Sequence, residues 1–234
     1  MKQYLLFFAL FYFISPSFCQ YSDLKEYGLK GNVKSINDAV YLDLKPVGKK
    51  WKIDSTDNAA FHKNMYFNPS GQMDTLRVID VDEKDSMLNS TIVFDFENDI
   101  KIGGKQYGYH HQPITLFDIE WMDNRTYKTA LTDTSGQKIY ESTSWLSIQF
   151  QDSVGQTLVY DKGKVVNNST YVNRLDKSKR VIGIDYFDQF SKPTVSETIE
   201  YLEFDKRGNW TKCVVRDSFT GKFKKLTVRA IEYY

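Results

Sequence analysis

An all-β fold, an antiparallel meander of successive hairpins in a twisted or partly curled sheet with one short N-terminal helix, is predicted by three observations. Val, Ile, Thr, Tyr and Phe dominate long stretches, and these residues favour a pleated, half-buried surface. Apolar and polar residues alternate with period two, as in Leu226-Thr227-Val228-Arg229-Ala230, the signature of a strand with one wet face. Polar turns closed by glycine recur along the chain. Beyond residue 28 no stretch of a dozen residues carries a 3.6-residue period.

The chain has 234 residues, 31 Lys and Arg against 30 Asp and Glu, 13 Gly, 5 Pro, 3 His and 2 Cys. A charged fraction of 26% beside 41% hydrophobic residues disfavours a disordered chain, a collagen-like fibre and a multi-span membrane protein. A formal charge of +1 with no clustered basic face gives no reason to expect nucleic-acid binding.

Lys2, the apolar run Tyr4 to Ile14 and the small-residue stretch Ser15-Pro16-Ser17-Phe18-Cys19 describe a secretory signal peptide over residues 1–19, with Gln20 as the mature N-terminus. The apolar run is too short for a membrane-spanning helix, which needs about 20 residues. Cys19 admits a second reading as a lipid-modified residue, and membrane association is expected only in that case. The bulky Phe18 before it argues against lipidation. Export to the periplasm, the cell surface or the medium follows. Cleavage leaves Cys213 as the sole cysteine, so no internal disulfide is available; in Cys213-Val214-Val215 it reads as a small buried hydrophobe.

Residues 20–234 read as a single β-rich domain. Tyr21 to Gly28 can form one or two helical turns with Ser22 as cap and Gly28 as stop. The hairpin signals are clearest from 130 to 234. Asn68-Pro69-Ser70-Gly71-Gln72, Asp133-Thr134-Ser135-Gly136-Gln137, Asp152-Ser153-Val154-Gly155-Gln156 and Asp205-Lys206-Arg207-Gly208-Asn209 share one grammar: an Asx that bonds its own backbone, then a glycine supplying positive φ. Leu175 to Lys179 and Tyr186 to Lys192 look like degenerate copies. An open sheet must manage its edges, and the charged last hairpin with Lys222, Lys224, Lys225 and Arg229 suits that purpose.

The stretch Glu200-Tyr201-Leu202-Glu203-Phe204-Asp205-Lys206-Arg207-Gly208-Asn209-Trp210-Thr211-Lys212 resembles the YD or RHS type of hairpin repeat of small exported proteins of Gram-negative bacteria, mostly of unassigned function. Tyr27 to Ile36 resembles the opening strand of such proteins. The resemblance is good over the last 35 residues or so, thin from 130 to 195 and absent from 40 to 125. It implies a sheet of hairpins, and a chain this short cannot form the toxin-enclosing shell of the large RHS proteins.

Histidines and carboxylates offer little convergent chemistry. Tyr109-His110-His111 follows the glycine-rich 103–108 stretch, and adjacent histidines on a strand point to opposite faces, so a shared metal would require a loop. Gly103-Gly104-Lys105 lacks phosphate-loop spacing. Asp118 and Glu120 share a face of a strand, as general acid/base work requires, yet such pairs arise readily among 30 acids. No catalytic residue, metal or cofactor is assigned. Trp51, Trp121, Trp145 and Trp210 lie on or near predicted strands, where a ring is either core or a stacking platform; with Tyr109, His110 and His111 they form the candidate ligand or partner surface. The function expected is that of a non-enzymatic exported protein presenting a sheet surface to an envelope or extracellular protein. The alternative is a ligand carrier or carbohydrate-binding module using an aromatic face. The protein isolated from its own host is expected to have the intact mass of residues 20–234, and a bound fatty acid on it would overturn the cut after Cys19.

Overall fold

The computed structural model describes residues 21–42, 44, 46–47, 50–51, 59–80, 89–108, 110–147 and 151–234; the leader read over 1–19 lies outside them. Ser22 caps a single helical turn, α1 (Asp23–Glu26), its hydroxyl accepting from the Lys25 backbone N–H at 3.4 Å. Gly28 then redirects the chain with φ +64°. The strands follow in order: β1 (Val33–Tyr41), β2 (Pro46–Val47), β3 (Lys50–Trp51), β4 (Phe61–Phe67), β5 (Met73–Asp80), β6 (Ser90–Glu97), β7 (Ile100–Tyr107) and β8 (Pro113–Trp121). After them come β9 (Thr126–Asp133), β10 (Lys138–Leu146), β11 (Asp152–Asp161), β12 (Lys164–Leu175), β13 (Val181–Asp188), β14 (Pro193–Phe204), β15 (Trp210–Asp217) and β16 (Phe223–Tyr233). β2 and β3 pair with each other.

The open meander expected from the sequence is corrected here: the other 14 strands form a closed antiparallel barrel. β1 pairs with β16 on one side and with β4 on the other, so the barrel itself has no edge to protect. Alternation within each strand reports which residues share a face and is blind to whether the first and last strands meet. The last hairpin's charges accordingly have another use. Arg229 pairs with Asp38 across the closing seam, and Lys224 meets Glu197 at 3.0 Å.

Six described hairpins share one backbone turn, five opened by Asn or Asp and one by Gly108, and two of the five carry no glycine. Asn68, Asp133, Asp176, Asp188 and Asp205 each donate their backbone N–H to the carbonyl four residues on, and accept from the N–H three residues on. Each side-chain oxygen also accepts the N–H four residues on, at 2.9–3.0 Å. The fourth turn residue has positive φ, as Gly71, Gly136 or Gly208 but also as Lys179 (φ 65°) and Ser191 (φ 60°). The local carboxylate bonds therefore hold the left-handed residue in place without glycine. The turn expected at 152–156 is not there. Gly155 lies inside β11, opposite Ser144 and Tyr171, where a Cβ would come within 2.2 Å of the Tyr171 ring.

Inside and outside are distinguished by the segment 21–32. It touches Lys101 on β7, Tyr127 on β9, Asn209 before β15 and, through Tyr27, Lys63 on β4. Only a segment lodged in the mouth of the ring reaches strands on opposite sides of it. A round ring of 14 strands measures ~28 Å between backbones at usual spacing and tilt, wide enough to admit one helical turn ~10 Å across. The face bearing Ile36, Asp38, Met65, Lys63, Lys101, Phe117, Tyr127, Tyr171, Tyr201 and Arg229 is thus the lumen.

Two apolar clusters hold this arrangement. Inside, Val33, Ile36, Met65, Phe67 and Met73 pack with Leu24 and Leu29 of the plug. Outside, Tyr41, Val214 and Leu226 pack beneath Leu44 and Ala59 of the β1–β4 connection. Asp38 and Arg229 face each other at the seam through two bonds of 2.7 Å, both side chains 7% exposed. The guanidinium lies 3.6 Å above the Trp210 ring, adding a cation–π contact. Replacing Arg229 by Ala strands a buried carboxylate, so a loss of about 3–5 kcal/mol is expected in urea unfolding, with a changed Trp210 near-ultraviolet dichroism.

Candidate functional site: a chamber behind the N-terminal plug

The plug is fastened by polar bonds on both sides. Asp23 accepts from Lys101 Nζ at 2.7 Å and from the Met73 backbone N–H at 2.6 Å, with the Lys101 and Asp23 side chains 7% and 3% exposed. The same ammonium lies 4.1 Å over the Phe94 ring. Gln72 donates to the carbonyls of Tyr21 and Asp99. On the other side, Asn209 accepts from the Lys30 backbone N–H at 2.8 Å and donates to the Lys30 carbonyl at 2.9 Å, copying a strand pair with one side chain. Gln72 and Asn209 are both the residue after a turn glycine, so the turn grammar also supplies the plug's clasps.

Among the described residues, two cavities open between plug and wall, and Glu26 and Tyr27 border both. One, about 190 Å³, reaches Gln151, Arg180, Val181, Tyr201 and Trp210. The other, about 170 Å³, is walled by Phe94, Phe117, Ile119, Trp121, Tyr127 and Thr129. Tyr27 leaves 42% of its surface accessible although barrel wall surrounds it, so its exposure is to the chamber and not to bulk solvent. Farther along the lumen, Leu131, Tyr140, Ile184, Val195 and Ile199 also remain partly accessible, as expected of a wide barrel that its side chains do not fill.

Glu26 is the chamber's central charge. Its carboxylate accepts from the hydroxyl of Tyr21 and, at 3.0 Å, from that of Tyr127; among the described residues no cation is paired with it. Asp152 accepts from Tyr171 Oη at 2.8 Å and Asn173 Nδ2 at 3.3 Å. Burial pushes Glu26 up to about 7 and Asp152 up to about 6, each raised by its desolvated surroundings. Burial likewise raises Tyr27 and Tyr171, keeping their hydroxyls protonated as donors. On the opposite wall burial lowers Lys63, with Arg229 and Lys225 acting in the same direction and Asp38 against it. The chamber therefore presents acceptors, aromatic faces and apolar wall at one end of the lumen.

The residues singled out from sequence are scattered. Trp121 lines the chamber, its ring 4.6 Å from Tyr21 and 5.0 Å from Tyr127. Trp210 borders the other cavity beneath Arg229. Trp145 is 39% exposed on the outer face of β10. The side chain of Trp51 and all of Tyr109 lie outside the described residues. His110 and His111 sit exposed at the β7–β8 tip, His111 taking the positive-φ position (φ 58°) that glycine holds elsewhere. Asp118 and Glu120 are exposed on the outer wall, where Glu120 stands opposite Lys128. Cys213 is buried on β15, its thiol pushed up to about 11 by burial. Glu26, Tyr27, Lys101 and Asp152 escaped the sequence reading. One sign was available in Ile100-Lys101-Ile102, whose inward residue is the lysine while both isoleucines are exposed.

No protein-family model matches the chain, and no curated protein matches it. Among solved structures, a porin-like protein from Bacteroides vulgatus is similar over 88% of this chain and 99% of its own, at TM-score 0.50 and 9% identity. A porin-like protein from Bacteroides uniformis covers 86% of this chain and 96% of its own, at TM-score 0.44 and 9% identity. A LolA-superfamily protein from Nitrosomonas europaea covers 88% of this chain and 87% of its own, at TM-score 0.27 and 9% identity. The likeness to the first is one of fold: an all-β barrel. No family model stands behind the YD or RHS resemblance, and what the structure shares with it is the succession of hairpins.

Because Glu26 binds its proton more tightly in the folded protein than the ordinary value of 4.5 allows, the folded state holds a proton that the unfolded chain releases between about pH 4.5 and 7. Stability from this group is present below that window and is lost as pH rises through it. Glu26→Gln is expected to flatten the profile and to be more stable than the parent at pH 8 by on the order of 1–2 kcal/mol, read from thermal melts at pH 5 and pH 8.

Proposed function

We propose that this is an exported, non-enzymatic barrel that faces water on its outside and holds a small amphipathic molecule in its lumen. The observation that carries the reading is the inversion between the two surfaces. The outer wall bears charge along its height: Glu141 bonds Lys128 at 3.0 Å and Lys138 at 2.8 Å, Arg174 meets Asp185 at 3.1 Å, and Lys34 meets Glu232 at 2.7 Å. Asp95, Glu97, Lys105, Asp118 and Glu120 are exposed between them. A lipid-facing barrel carries an apolar band there, and a lysine or arginine at the bilayer midplane costs about 2–4 kcal/mol. The hollow side carries the ligand-like surface instead.

Of the two functions expected from sequence, the carrier gains support and the sheet-face partner loses it, because the aromatic residues Trp121, Tyr127, Tyr171, Tyr201 and Trp210 face the lumen. An apolar portion fits against Phe94, Phe117 and Ile119, and a head group with hydrogen-bond donors fits at Glu26 and Gln151. Export rests on the leader read over residues 1–19.

Binding of 1-anilinonaphthalene-8-sulfonate, and its displacement by fatty acids, lysolipids and long-chain amines, tests the reading. The probe is expected to bind with a blue shift and to be displaced by at least one of these classes. Thr129→Trp, which fills the 170 Å³ cavity, is expected to weaken binding at least tenfold. Absence of binding by every probe would sink the carrier, as would binding unchanged in Thr129→Trp and abolished by Trp145→Ser on the outer wall.

A further inference from the structure

The two ends of the barrel differ, and the difference is independent of the lumen. At the plugged end the described turns present Asn68 to Gly71, Asn98-Asp99, Asp123 to Arg125, Asp176 to Lys179 and Asp205 to Gly208, all polar. The exposed apolar side chains at this end include Met122 (64%) in a turn, Tyr234 (57%) at the C-terminus, and Ile100 (48%) and Phe204 (42%) at strand ends. At the opposite end, three hairpins that neighbour one another in the ring, β11–β12, β13–β14 and β15–β16, each lift apolar side chains into solvent. Phe190 is 80% exposed, Phe219 66%, Val166 60% and Val165 51%. Among the described residues elsewhere on this rim, the β9–β10 tip is Thr134-Ser135-Gly136-Gln137 and the β7–β8 tip carries His110 and His111, and the apolar tips described here fall on one arc.

Each apolar tip has a basic collar. Lys162 and Lys164 precede Val165 and Val166, Lys192 follows Phe190, and Lys222 and Lys224 follow Phe219. The acids in the same turns are Asp161, Asp188 and Asp217, giving five lysines against three aspartates over 161–166, 188–193 and 217–224. Two of those carboxylates turn back onto their own loops. Asp188 accepts from the Phe190 and Lys192 N–H groups, and Asp217 accepts from the Thr220 N–H and hydroxyl. Lys224 is engaged with Glu197, which leaves Lys162, Lys164, Lys192 and Lys222, against Asp161, as the outward charge.

We propose that this arc docks on an anionic phospholipid bilayer, with Phe190, Phe219 and Val166 inserting among the acyl chains and the collar lysines lying at the phosphates. Knobs on adjacent hairpins stand roughly 10 Å apart and are separated by charge. They do not form the continuous apolar patch that a protein partner packs against. A fluid surface deforms around separate knobs, and lysines beside them extend their stems along the apolar region while the ammonium stays at the interface. An anionic leaflet matches the sign of the collar.

Flotation of the protein, in the form its host produces, with phosphatidylcholine vesicles with and without phosphatidylglycerol tests this. The protein is expected to float with the anionic vesicles. Partitioning should fall at least tenfold in Phe190→Ser/Phe219→Ser/Val166→Ser, and severalfold in Phe190→Ser alone. Changing Lys162, Lys164, Lys192 and Lys222 to Gln should erase the preference for phosphatidylglycerol, while Met122→Ser at the other end changes nothing. Near-ultraviolet dichroism and lumenal probe binding should match the parent in every variant, which separates failure of docking from failure of the carrier reading. The proposal is overturned if the parent does not float, if the triple variant floats as well as the parent, or if what the triple variant loses is a concentration-dependent dimer.

Discussion

The pair of bonds between Asp38 and Arg229 joins residues 191 positions apart and turns a row of hairpins into a ring. Every other strand contact in the barrel, apart from β1 with β4, links neighbours in sequence, which hairpin turns alone bring together. The seam between β1 and β16 has no turn to set its register. A buried, bidentate ion pair sets it instead, since a slip by one residue would turn one of the two charges to the other face and leave its partner unpaired in a dry environment. Trp210 roofs the guanidinium and ties β15 to the same point. The cost of burying the pair is exchanged for a unique closure.

Closure gives meaning to the rest of the polar interior. A flat sheet would leave Glu26, Tyr27, Lys63 and Asp152 in bulk water, where they would titrate ordinarily. Within a ring, the same side chains share a small enclosed volume with aromatic walls. Burial raises the two carboxylates and lowers the lysine in concert, and the tyrosine hydroxyls stay available as donors. The buried ion pair of Asp23 with Lys101 then seats the plug at a fixed depth, so that the chamber has a floor.

Much of the local structure was legible in the sequence. The Ser22 cap, the helical turn after it, and the turns at 68–72, 133–137 and 205–209 follow from side-chain chemistry acting over four or five residues. Asp176 and Asp188 show that the aspartate is the stronger part of the signal, since Lys179 and Ser191 take the glycine's position. Gly155 shows the converse: glycine near an Asp means a turn only where nothing crosses it, and there the Tyr171 ring does. Ring closure was not legible, because period-two alternation is the same in an open sheet and in a barrel. For that reason Trp121 and Trp145, alike in sequence, fall on opposite surfaces, and the charges of Arg229 and Lys224 look the same in sequence as the edge protection of an open sheet.

The architecture also constrains how the barrel's girth can vary. Because β1 and β16 meet antiparallel and every other barrel neighbour is antiparallel too, the strand number must be even. The circumference can therefore change only in steps of one whole hairpin, each adding about 10 Å of wall. Such a step leaves the inward and outward alternation of every existing strand untouched. The lumen is in this sense a modular volume, adjustable by duplication or loss of a hairpin while the seam and the plug stay as they are.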